Sequence, residues 1–436
     1  MYLTGIPKQM ALLGMLRSSA LRKLPFPALL RMRRFLAGEK LTHLDGRFVV
    51  NSFLPPYPGP AFESLGAGIQ SLLHGKPVPV SAYVAVTNRC GFQCWHCSKA
   101  HRDAEDLSCD EWRRILHDLQ ELGTSIIGFT GGEPLLRGDL PRLVAAVDSR
   151  SSTILFTTGD GLTRERASEL KGAGLFGVAV SLDHHLAEVH DQRRGRKGAF
   201  AQALGAVRIA RETGFYTMIQ LVGTSDVVRE DTMNAYLALA GRIGVHEIRL
   251  LEPMPTGRLM EADKNCCISA GERAGLRSVH VRTNRRRDLP KVAAFAHIEH
   301  GDMYGCGAGF QHLYIDAGGN VCPCDFTPVS FGNVTREPLA AVWSRMNAAF
   351  ARPRRRCFLL QNAGRLRKAF RGTLPIPYEE AREVCCFANG GELPGYYRAL
   401  GLAECSREGG CDAGRQPETQ IARDGRPRIA VGAAGG

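Results

Sequence analysis

The sequence predicts an α/β protein: a partial (β/α)6 barrel with a helical N-terminal extension and a smaller cysteine-rich C-terminal domain. Three observations support this prediction. From Ser81 to Leu251, short runs rich in β-branched residues alternate with helical stretches, and parallel strands require such helical crossovers. Before this stretch, residues 1–50 mix apolar residues with cations. After it the cysteines become dense, and ten of the fourteen lie between 266 and 411.

The composition excludes several classes of protein. The chain has 436 residues, of which 44% are hydrophobic and 23% charged, so a mostly disordered protein is excluded. We find no apolar run of about 18 residues and no convincing secretory signal, and we therefore predict a cytoplasmic protein without a conventional transmembrane helix. Cytosolic thiols stay reduced, so clustered cysteines are interpreted as metal ligands or catalysts rather than disulfides.

The net charge of +13 is unevenly distributed. Residues 1–50 carry nine basic and two acidic side chains, and residues 352–371 carry eight basic and no acidic ones. Such patches suit nucleic acid, a membrane surface or an anionic substrate. Pro25 and Pro27 should divide the first patch into two short amphipathic helices. These helices would make a peripheral membrane contact or, equally well, pack across the barrel with a solvated basic face.

The pattern divides the chain into five segments. These are a basic amphipathic extension (1–79), the barrel (80–260), a linker (261–299), a second domain (300–412) and a disordered tail (413–436). Within the barrel we predict strands at Ala82–Thr87, Ser125–Phe129, Thr153–Thr157, Gly177–Ser181, Thr217–Val222 and Glu247–Leu251. Helices are predicted near Asp110–Leu122, Leu140–Val147, Thr163–Ala173, Ala199–Glu212 and Thr232–Ile243.

A cysteine motif follows the first predicted strand. Cys90, Cys94 and Cys97 have the spacing C-x3-C-x2-C. Thiolates on one short loop can converge on a soft metal centre. Three of them can hold three irons of a [4Fe–4S] cluster, which leaves the fourth iron open to an exogenous ligand. A zinc site with His96 as an additional ligand fits the same residues, so the loop alone leaves the metal undecided.

The segment Phe129–Pro134 (FTGGEP) follows the second predicted strand. Its glycines allow a ligand to approach the backbone closely, and Glu133 could accept a hydrogen bond from an amine. On its own the segment fits an ordinary turn. Together with the cysteine loop one strand earlier, it resembles the radical S-adenosylmethionine (radical SAM) superfamily, and the resemblance covers about residues 80–260. It implies that Cys90, Cys94 and Cys97 bind a [4Fe–4S] cluster and that Gly131, Gly132 and Glu133 bind the amino group of SAM.

The resemblance implies further SAM contacts through less specific motifs. Ser181 and Arg194 lie where related enzymes hold the polar end of SAM, and Thr158 and Asp160 lie where the family contacts the ribose. Arg194 could pair with the SAM carboxylate in a bidentate manner. A surface arginine within a run of cations is an equally good interpretation, and Thr158 or Asp160 could instead serve helix entry.

A second cysteine pattern begins at Cys306 (CGAG) and continues through Gly318-Gly319 to Cys322-Pro323-Cys324. It resembles the SPASM or twitch extension of radical SAM enzymes, and a hairpin at the two glycines would bring its cysteines together. The resemblance implies an auxiliary [4Fe–4S] cluster, for which the candidate ligands are Cys306, Cys322, Cys324, Cys357 and Cys385, followed by Cys386, Cys405 and Cys411. The tight cysteine run that ends a full SPASM domain is missing, so one auxiliary cluster is expected rather than two. Structural zinc or buried thiols remain alternatives.

The family resemblance also implies the reaction. Such an enzyme takes one electron from an external reductase such as a flavodoxin or ferredoxin. It cleaves SAM reductively to a 5′-deoxyadenosyl radical, which abstracts hydrogen from an unactivated C–H bond of the substrate. The sequence assigns no catalytic residue beyond the cofactor ligands.

The substrate is less determined by the sequence. We favour a small or lipid-like molecule over a peptide, because residues 1–79 lack the three-strand, three-helix pattern of the family's peptide-binding domains. A peptide-modifying enzyme remains the main alternative, and tRNA modification is another that would use the basic patches. A zinc-stabilised nucleic-acid-binding protein without enzyme activity is disfavoured, since GGEP stands where the radical SAM family has it.

Overall fold

The N-terminal region combines three helices with a small sheet. The computed structural model describes residues 2–402 except 4, 20, 262–266 and 388–390. The elements of this region are β1 (Tyr2–Leu3), α1 (Gly5–Leu16), α2 (Phe26–Ala37), β2 (Leu41–Leu44), β3 (Arg47–Val49) and α3 (Pro60–Leu73). The strands form an antiparallel sheet in the order β1-β2-β3. The two predicted helices are confirmed. The expectation that this region lacks three strands and three helices is wrong. The strands were missed in the sequence because they have only two to four residues.

The six predicted strands of the barrel are all present. They are β4 (Ser81–Thr87), β5 (Ile126–Gly131), β6 (Ser152–Thr157), β7 (Gly177–Ser181), β8 (Tyr216–Val222) and β9 (Glu247–Leu251). The intervening helices are α4 (Cys109–Glu121), α5 (Leu140–Ala145), α6 (Arg164–Gly172), α7 (Ala187–Arg194), α8 (Ala199–Glu212), α9 (Ser225–Val228) and α10 (Glu230–Ile243), with 3-10 turns at Pro134–Leu136 and Gly257–Met260. Each strand pairs in parallel with its neighbour in sequence, as helical crossovers require.

The segment predicted as a linker instead extends the sheet. It contains α11 (Ala270–Arg285), β10 (Lys291–Ala294) and α12 (Phe295–Ile298). Strand β10 pairs in parallel with β9, and all four of its residues are buried. Asn284 fixes the strand by bonding both the N–H and the C=O of Val292. A four-residue strand gives too short a periodic signal to be recognised in the sequence.

The C-terminal region adds a hairpin to the opposite edge of the sheet. Its elements are β11 (His312–Ile315), β12 (Val321–Cys322), β13 (Val329–Ser330), α13 (Leu339–Ala349), α14 (Phe358–Ala369), β14 (Ile376–Pro377), α15 (Tyr378–Val384) and α16 (Gly395–Leu400). Strand β11 pairs in parallel with β4 and antiparallel with β12, so the predicted hairpin at Gly318-Gly319 is present. The complete order is β10-β9-β8-β7-β6-β5-β4-β11-β12. The predicted tail 413–436 lies outside the described residues.

The sheet is strongly curled. Arg249 on β9 donates from Nη2 to the hydroxyl of Tyr83 on β4 over 3.2 Å. Five strand-to-strand steps separate these strands, which would be roughly 24 Å in a flat sheet at about 4.8 Å per step. The hydrogen bond therefore spans the interior of a partial barrel.

The core lies on both sides of this curved sheet. Alternate residues of β4 separate accordingly: Ala82 and Val84 pack with the outer helices, whereas Tyr83 and Ala85 face an inner cluster with Phe156. A further cluster joins α1, α2 and α3 to α16. Within the described part of the chain, no helix has the length and apolar character needed to span a bilayer.

Candidate active site

The three cysteines of the first motif line one cavity at the ends of the barrel strands. Cys90, Cys94 and Cys97 lie on the loop after β4 and pack against Phe92 and Ala199. Burial raises the pKa of Cys90 to about 11 and also raises that of Cys94. Buried thiols of this kind become thiolates when a metal centre is present to stabilise the negative charge.

The spacing of these ligand atoms distinguishes a cluster from a single zinc ion. Ligand atoms about 2.3 Å from a tetrahedral zinc lie roughly 3.8 Å apart. Among the described residues, only Glu39, His280 and His297 bring three such atoms within 4.8 Å of one another. Cys90, Cys94, Cys97 and His96 therefore contain no such close set of three. Wider spacing suits thiolates that each bind a different iron of a cube, so the residues fit a [4Fe–4S] cluster.

The GGEP segment forms the neighbouring wall of the cavity. Gly132 donates its N–H to the carbonyl of Thr87 over 2.7 Å. A Cβ at Gly132 would lie 2.2 Å from the carbonyl oxygen of Arg89, and Gly131 has a φ of +134°. These positions need glycine because the loop after β5 packs directly on the backbone that follows β4. The contact brings the two predicted motifs together.

Glu133 does not line the cavity. Its carboxylate is fully buried and accepts hydrogen bonds from the Thr157 hydroxyl, the Leu135 N–H, and both the N–H and the hydroxyl of Thr158. Glu133 was expected to accept a hydrogen bond from the amine of SAM. In this structure its two carboxylate oxygens already accept four hydrogen bonds from protein groups. In this structure Glu133 joins the loop after β5 to the loop after β6.

The other predicted SAM contacts divide into two groups. Thr158, Ser181 and Arg194 line the cavity. Asp160 does not line it, because it pairs with Arg196 at 2.6 Å and accepts from Gln202. Its carboxylate still lies beside the cysteine loop, 3.8 Å from the position of a Cβ at Gly91, so a contact between Asp160 and the ribose of SAM stays a prediction.

Arg194 is a buried residue rather than the surface arginine considered above. Its Nε lies 2.8 Å from a carboxylate oxygen of Asp183, and its Nη1 lies 3.7 Å from the Cys94 sulfur. The guanidinium is thus already paired with a carboxylate, and it presents positive charge to a cysteine of the motif. The prediction has Arg194 binding the SAM carboxylate in a bidentate manner, whereas here its guanidinium contacts Asp183 and Cys94.

The sequence did not reveal the inner, aromatic wall of the cavity. The aromatic residues of this wall are Tyr83, Phe156, Phe295 and Tyr314, and Arg249 lies among them. The signal available for Arg249 was a cation inside the otherwise mostly apolar predicted strand Glu247–Leu251. Tyr83, Phe156 and Tyr314 occupy ordinary strand positions and Phe295 begins α12, so these aromatic residues carried no separate signal.

Three cysteines of the second pattern line an adjacent cavity. They are Cys306, Cys324 and Cys357. The thiols of Cys306 and Cys357 are hydrogen-bonded to each other, and this contact lowers the pKa of Cys306 and raises that of Cys357. These three sulfurs also fail to form a set within 4.8 Å of one another, which again fits a cluster better than a zinc ion.

Cys322 and Cys385 do not join this group. Cys322 pairs with Tyr314 across the hairpin and faces the inner cluster, where its sulfur lies 3.9 Å from Nη1 of Arg102. Cys385 packs in the main core and lines neither cysteine cavity. The sequence predicts that the hairpin brings both Cys322 and Cys324 near Cys306, with Cys385 as a later candidate ligand, but the hairpin turns Cys322 away from Cys324. Cys405 and Cys411 lie outside the described residues.

The two cysteine cavities share a wall. Tyr83, Met254, Phe295, Asp325 and Phe326 line both of them. A molecule bound at this wall would lie between the first and the second cysteine site. The arrangement therefore offers a substrate position next to both.

Comparison with known proteins agrees with this geometry. Residues 84–239 match the model of the radical SAM superfamily, and residues 306–364 match that of SPASM, an iron-sulfur cluster-binding domain. An AdoMet-dependent heme synthase from Nitratidesulfovibrio vulgaris is 27% identical over 304 residues, covering 64% of this chain and 82% of the relative. An Fe-coproporphyrin III synthase from Methanosarcina barkeri is 37% identical over 149 residues, covering 33% and 37%.

Solved structures show the same fold. SuiB of Streptococcus suis bound to its precursor peptide SuiA superposes with a TM-score of 0.52 at 16% identity, covering 65% of this chain and 68% of SuiB. SuiB bound to S-adenosylmethionine gives a TM-score of 0.51 at 18% identity, covering 61% and 65%. With both cysteine sites in place, the chain belongs to the radical SAM superfamily and is a SPASM-containing enzyme that uses SAM, a [4Fe–4S] cluster and auxiliary iron–sulfur chemistry.

Proposed function

We propose that this enzyme modifies a non-peptide substrate of the tetrapyrrole class. The observation that carries the proposal is the aromatic wall shared by the two cysteine cavities, which includes Tyr83, Phe295 and Phe326. Such a surface suits a large, flat, apolar molecule. The named activities of the relatives, heme synthase and Fe-coproporphyrin III synthase, support the same class.

The roles of the chain's residues follow from their placement. Cys90, Cys94 and Cys97 would hold the [4Fe–4S] cluster, and Cys306, Cys324 and Cys357 would contribute to the auxiliary cluster. When bound, SAM and the clusters supply one-electron and hydrogen-abstraction chemistry. Gly131, Gly132, Thr158 and Ser181 would orient SAM, and the aromatic wall would keep water away from the reacting carbon.

The preference for a lipid-like substrate finds no support among these relatives. We retain the preference for a small molecule over a peptide. The nucleic-acid alternative loses part of its basis, since several arginines of residues 352–371 make internal contacts. Arg355 pairs with Asp302 and Glu392, and Arg367 donates to the carbonyl of Met260.

A peptide substrate remains the second candidate for a specific reason. The N-terminal region does contain three strands and three helices, so the argument made against a peptide-binding domain no longer holds. In the sheet order β1-β2-β3 the edge strands are β1 and β3, and Phe48 of β3 already forms a bridge with Tyr57, so among the described residues β1 is the edge without a further pairing partner. A peptide could add to such an edge as a further strand.

The test is an anaerobic assay of the reconstituted enzyme. With dithionite and SAM, addition of Fe-coproporphyrin III should increase the formation of 5′-deoxyadenosine, and mass spectrometry should show a modified porphyrin. The Cys90→Ala variant is the control and should form neither product. If no tetrapyrrole binds or reacts while wild-type enzyme still cleaves SAM, the proposed substrate class is wrong.

We also propose a peripheral contact between α1, α2 and an anionic membrane surface. Five large apolar side chains are exposed on these helices: Ile6, Met10 and Leu13 follow one stripe of α1, and Phe26 and Leu30 follow one stripe of α2. Ile6 and Phe26 are 76% and 75% exposed. The contact of Arg33 with Gln9, at 3.3 Å, joins the helices beside these stripes.

Charge complementarity supports a lipid partner. Residues 1–38 contain seven cations and no acidic side chain. The exposed members are Arg17, Arg22, Lys23, Arg31, Arg33 and Arg34. Apolar side chains among cations suit the headgroup boundary of an anionic bilayer.

Vesicle sedimentation tests this contact. Wild-type enzyme should sediment with phosphatidylglycerol-containing vesicles, and less with pure phosphatidylcholine vesicles. The Ile6→Ser/Phe26→Ser double variant should lose this binding, whereas Leu186→Ser, which changes an exposed leucine elsewhere, should retain it. Equal binding of both variants, or no binding of wild type, would exclude the membrane contact.

A further inference from the structure

Arg249 stands apart from the other buried arginines of the barrel and the hairpin. Arg102, Arg137 and Arg194 are each paired with a carboxylate, at 2.9, 2.7 and 2.8 Å. Arg249 is 1% exposed, yet no carboxylate of the described residues lies within 4.0 Å of its guanidinium. A buried charge without a counter-charge is costly, so such a group calls for an explanation.

The hydrogen bonds of Arg249 leave part of the guanidinium available. Its Nε donates to Gln220 at 3.3 Å, Nη2 donates to the Tyr83 hydroxyl at 3.2 Å, and Nη1 donates to the hydroxyl of Ser52. A guanidinium has five N–H bonds, so two remain after these three contacts. One belongs to each terminal nitrogen, which is the arrangement that binds both oxygens of a carboxylate.

The hydrogen-bond network behind Arg249 reaches a carboxylate only indirectly. Ser52 donates in turn to Glu247, which also accepts from the Tyr216 hydroxyl, and Lys291 donates to that hydroxyl. Burial lowers the pKa of Lys291 to about 8, so it is mostly protonated at neutral pH. Within this network Glu247 is shared between Lys291 and Arg249, and it reaches Arg249 only through the Ser52 hydroxyl.

The acidic residues around the cavity are engaged elsewhere. Glu252 pairs with Arg273 at 2.6 Å, and Asp325 lies 3.5 Å from Nε2 of His312. These carboxyl groups therefore do not serve as counter-ions to Arg249.

Three aromatic rings surround the guanidinium of Arg249. The centroids of Phe53, Phe156 and Phe295 lie 4.8, 4.9 and 5.4 Å from the guanidinium carbon. They stabilise the charge and exclude water, which strengthens any ion pair formed there. Arg249 also lines the same cavity as Cys90 and Gly131, so its ligand would lie near the site of SAM.

We propose that Arg249 binds a carboxylate group of the substrate and thereby orients the substrate toward the first cysteine site. This inference deepens the proposed function and rests on it for the location of the substrate. It adds a requirement that the aromatic wall alone does not impose, namely that the substrate is an anion bearing at least one carboxylate. Coproporphyrins, which carry propionate side chains, satisfy that requirement.

The first test uses a simple probe that does not depend on the substrate class. The melting temperature of the reconstituted, SAM-bound enzyme is measured with benzoate and with neutral benzamide. Benzoate should raise the melting temperature of wild type and benzamide should not. Arg249→Gln should abolish the benzoate effect, and Arg249→Lys should retain part of it, since lysine keeps the charge without the two-pronged geometry. Equal shifts for both probes, no benzoate shift in wild type, or an unchanged benzoate shift in Arg249→Gln would overturn the inference.

Two further measurements distinguish a structural role of Arg249 from a role in binding the substrate. Without a probe, Arg249→Gln should lower the melting temperature less than Arg102→Gln, which breaks a buried ion pair. An equal or larger loss in Arg249→Gln would assign Arg249 a structural role instead. The dissociation constant for coproporphyrin III, followed by its fluorescence, should rise by about tenfold or more in Arg249→Gln. If benzoate behaves as expected but coproporphyrin III does not bind wild type, the tetrapyrrole proposal fails while the carboxylate site stands.

Discussion

Glu133 holds Thr158 through two hydrogen bonds, one from the backbone N–H at 2.7 Å and one from the hydroxyl at 2.6 Å. Thr158 lines the cavity and Glu133 does not. The carboxylate thus acts on the site through the loop it positions. A residue of the GGEP motif can therefore influence SAM binding without touching SAM.

Glu133→Gln should weaken SAM binding and destabilise the protein. The glutamine NH2 group would face donors of Thr157 or Thr158, and a buried donor left unpaired costs about 1–3 kcal/mol. The measurements are chemical denaturation and a SAM titration. Glu165→Gln, at an exposed position of α6, is the control and should match wild type. A Glu133→Gln protein with wild-type stability would show that the four hydrogen bonds do not hold the loop.

Gly132→Ala should lower the melting temperature and the affinity for SAM. The new Cβ would lie 2.2 Å from a backbone oxygen of Arg89, so one of the two loops must move. Gly138→Ala is the matched control, because nothing lies within 4 Å of a Cβ there. The prediction fails if both alanine variants melt and bind SAM alike.

Cys324→Ala and Cys322→Ala should differ in iron content, although the two residues are only two positions apart. Cys324 lines the second cysteine cavity, whereas Cys322 faces the inner cluster. Two [4Fe–4S] clusters give about eight irons per chain. We expect anaerobically reconstituted Cys324→Ala to lose iron and Cys322→Ala to keep it. Loss of iron from Cys322→Ala alone would assign the auxiliary ligands differently.

His190 should contribute to loss of stability in mild acid. Burial lowers its pKa to about 4, and its Nδ1 accepts the backbone N–H of Asp183. Between about pH 6.5, where an unfolded histidine titrates, and about pH 4, the unfolded chain binds a proton that the folded chain does not. Stability contributed by neutral His190 should therefore decrease as the pH falls through that window.

The measurement is the free energy of unfolding as a function of pH. His190→Asn keeps an acceptor for Asp183 but does not titrate, so its pH dependence should be shallower than that of wild type. His74→Asn, at an exposed position, serves as the control. Parallel curves for wild type and His190→Asn would contradict the prediction.

The sequence was most informative where the signal is periodic or local. The six strands from Ser81 to Leu251 alternate regularly with amphipathic helices, and the two motifs follow consecutive strands. The sequence was least informative where a side chain's direction depends on distant partners. Cys322 and Cys324 look equivalent as C-x-C, but pairing with Tyr314 turns Cys322 inward. Arg249 became meaningful only when curling brought Tyr83 and Ser52 to it.

The linker and the N-terminal strands show a second limit. Strand β10 has four residues, and β1 has two, so neither supplies a detectable period. Both form because a neighbour already offers an edge, β9 for the first and β2 for the second. Such elements are set by tertiary contacts rather than by local propensity.

The cluster that joins α1, α2 and α3 to α16 has a consequence for how the chain folds. Leu12 and Leu36 share this core with Tyr396 and Leu400, which are synthesised more than 350 residues later. During translation, the N-terminal helices leave the ribosome long before their last partner exists, with apolar surface uncovered. Contacts this distant in sequence also slow folding. We therefore expect emergence of α16, rather than emergence of the barrel, to complete the N-terminal region.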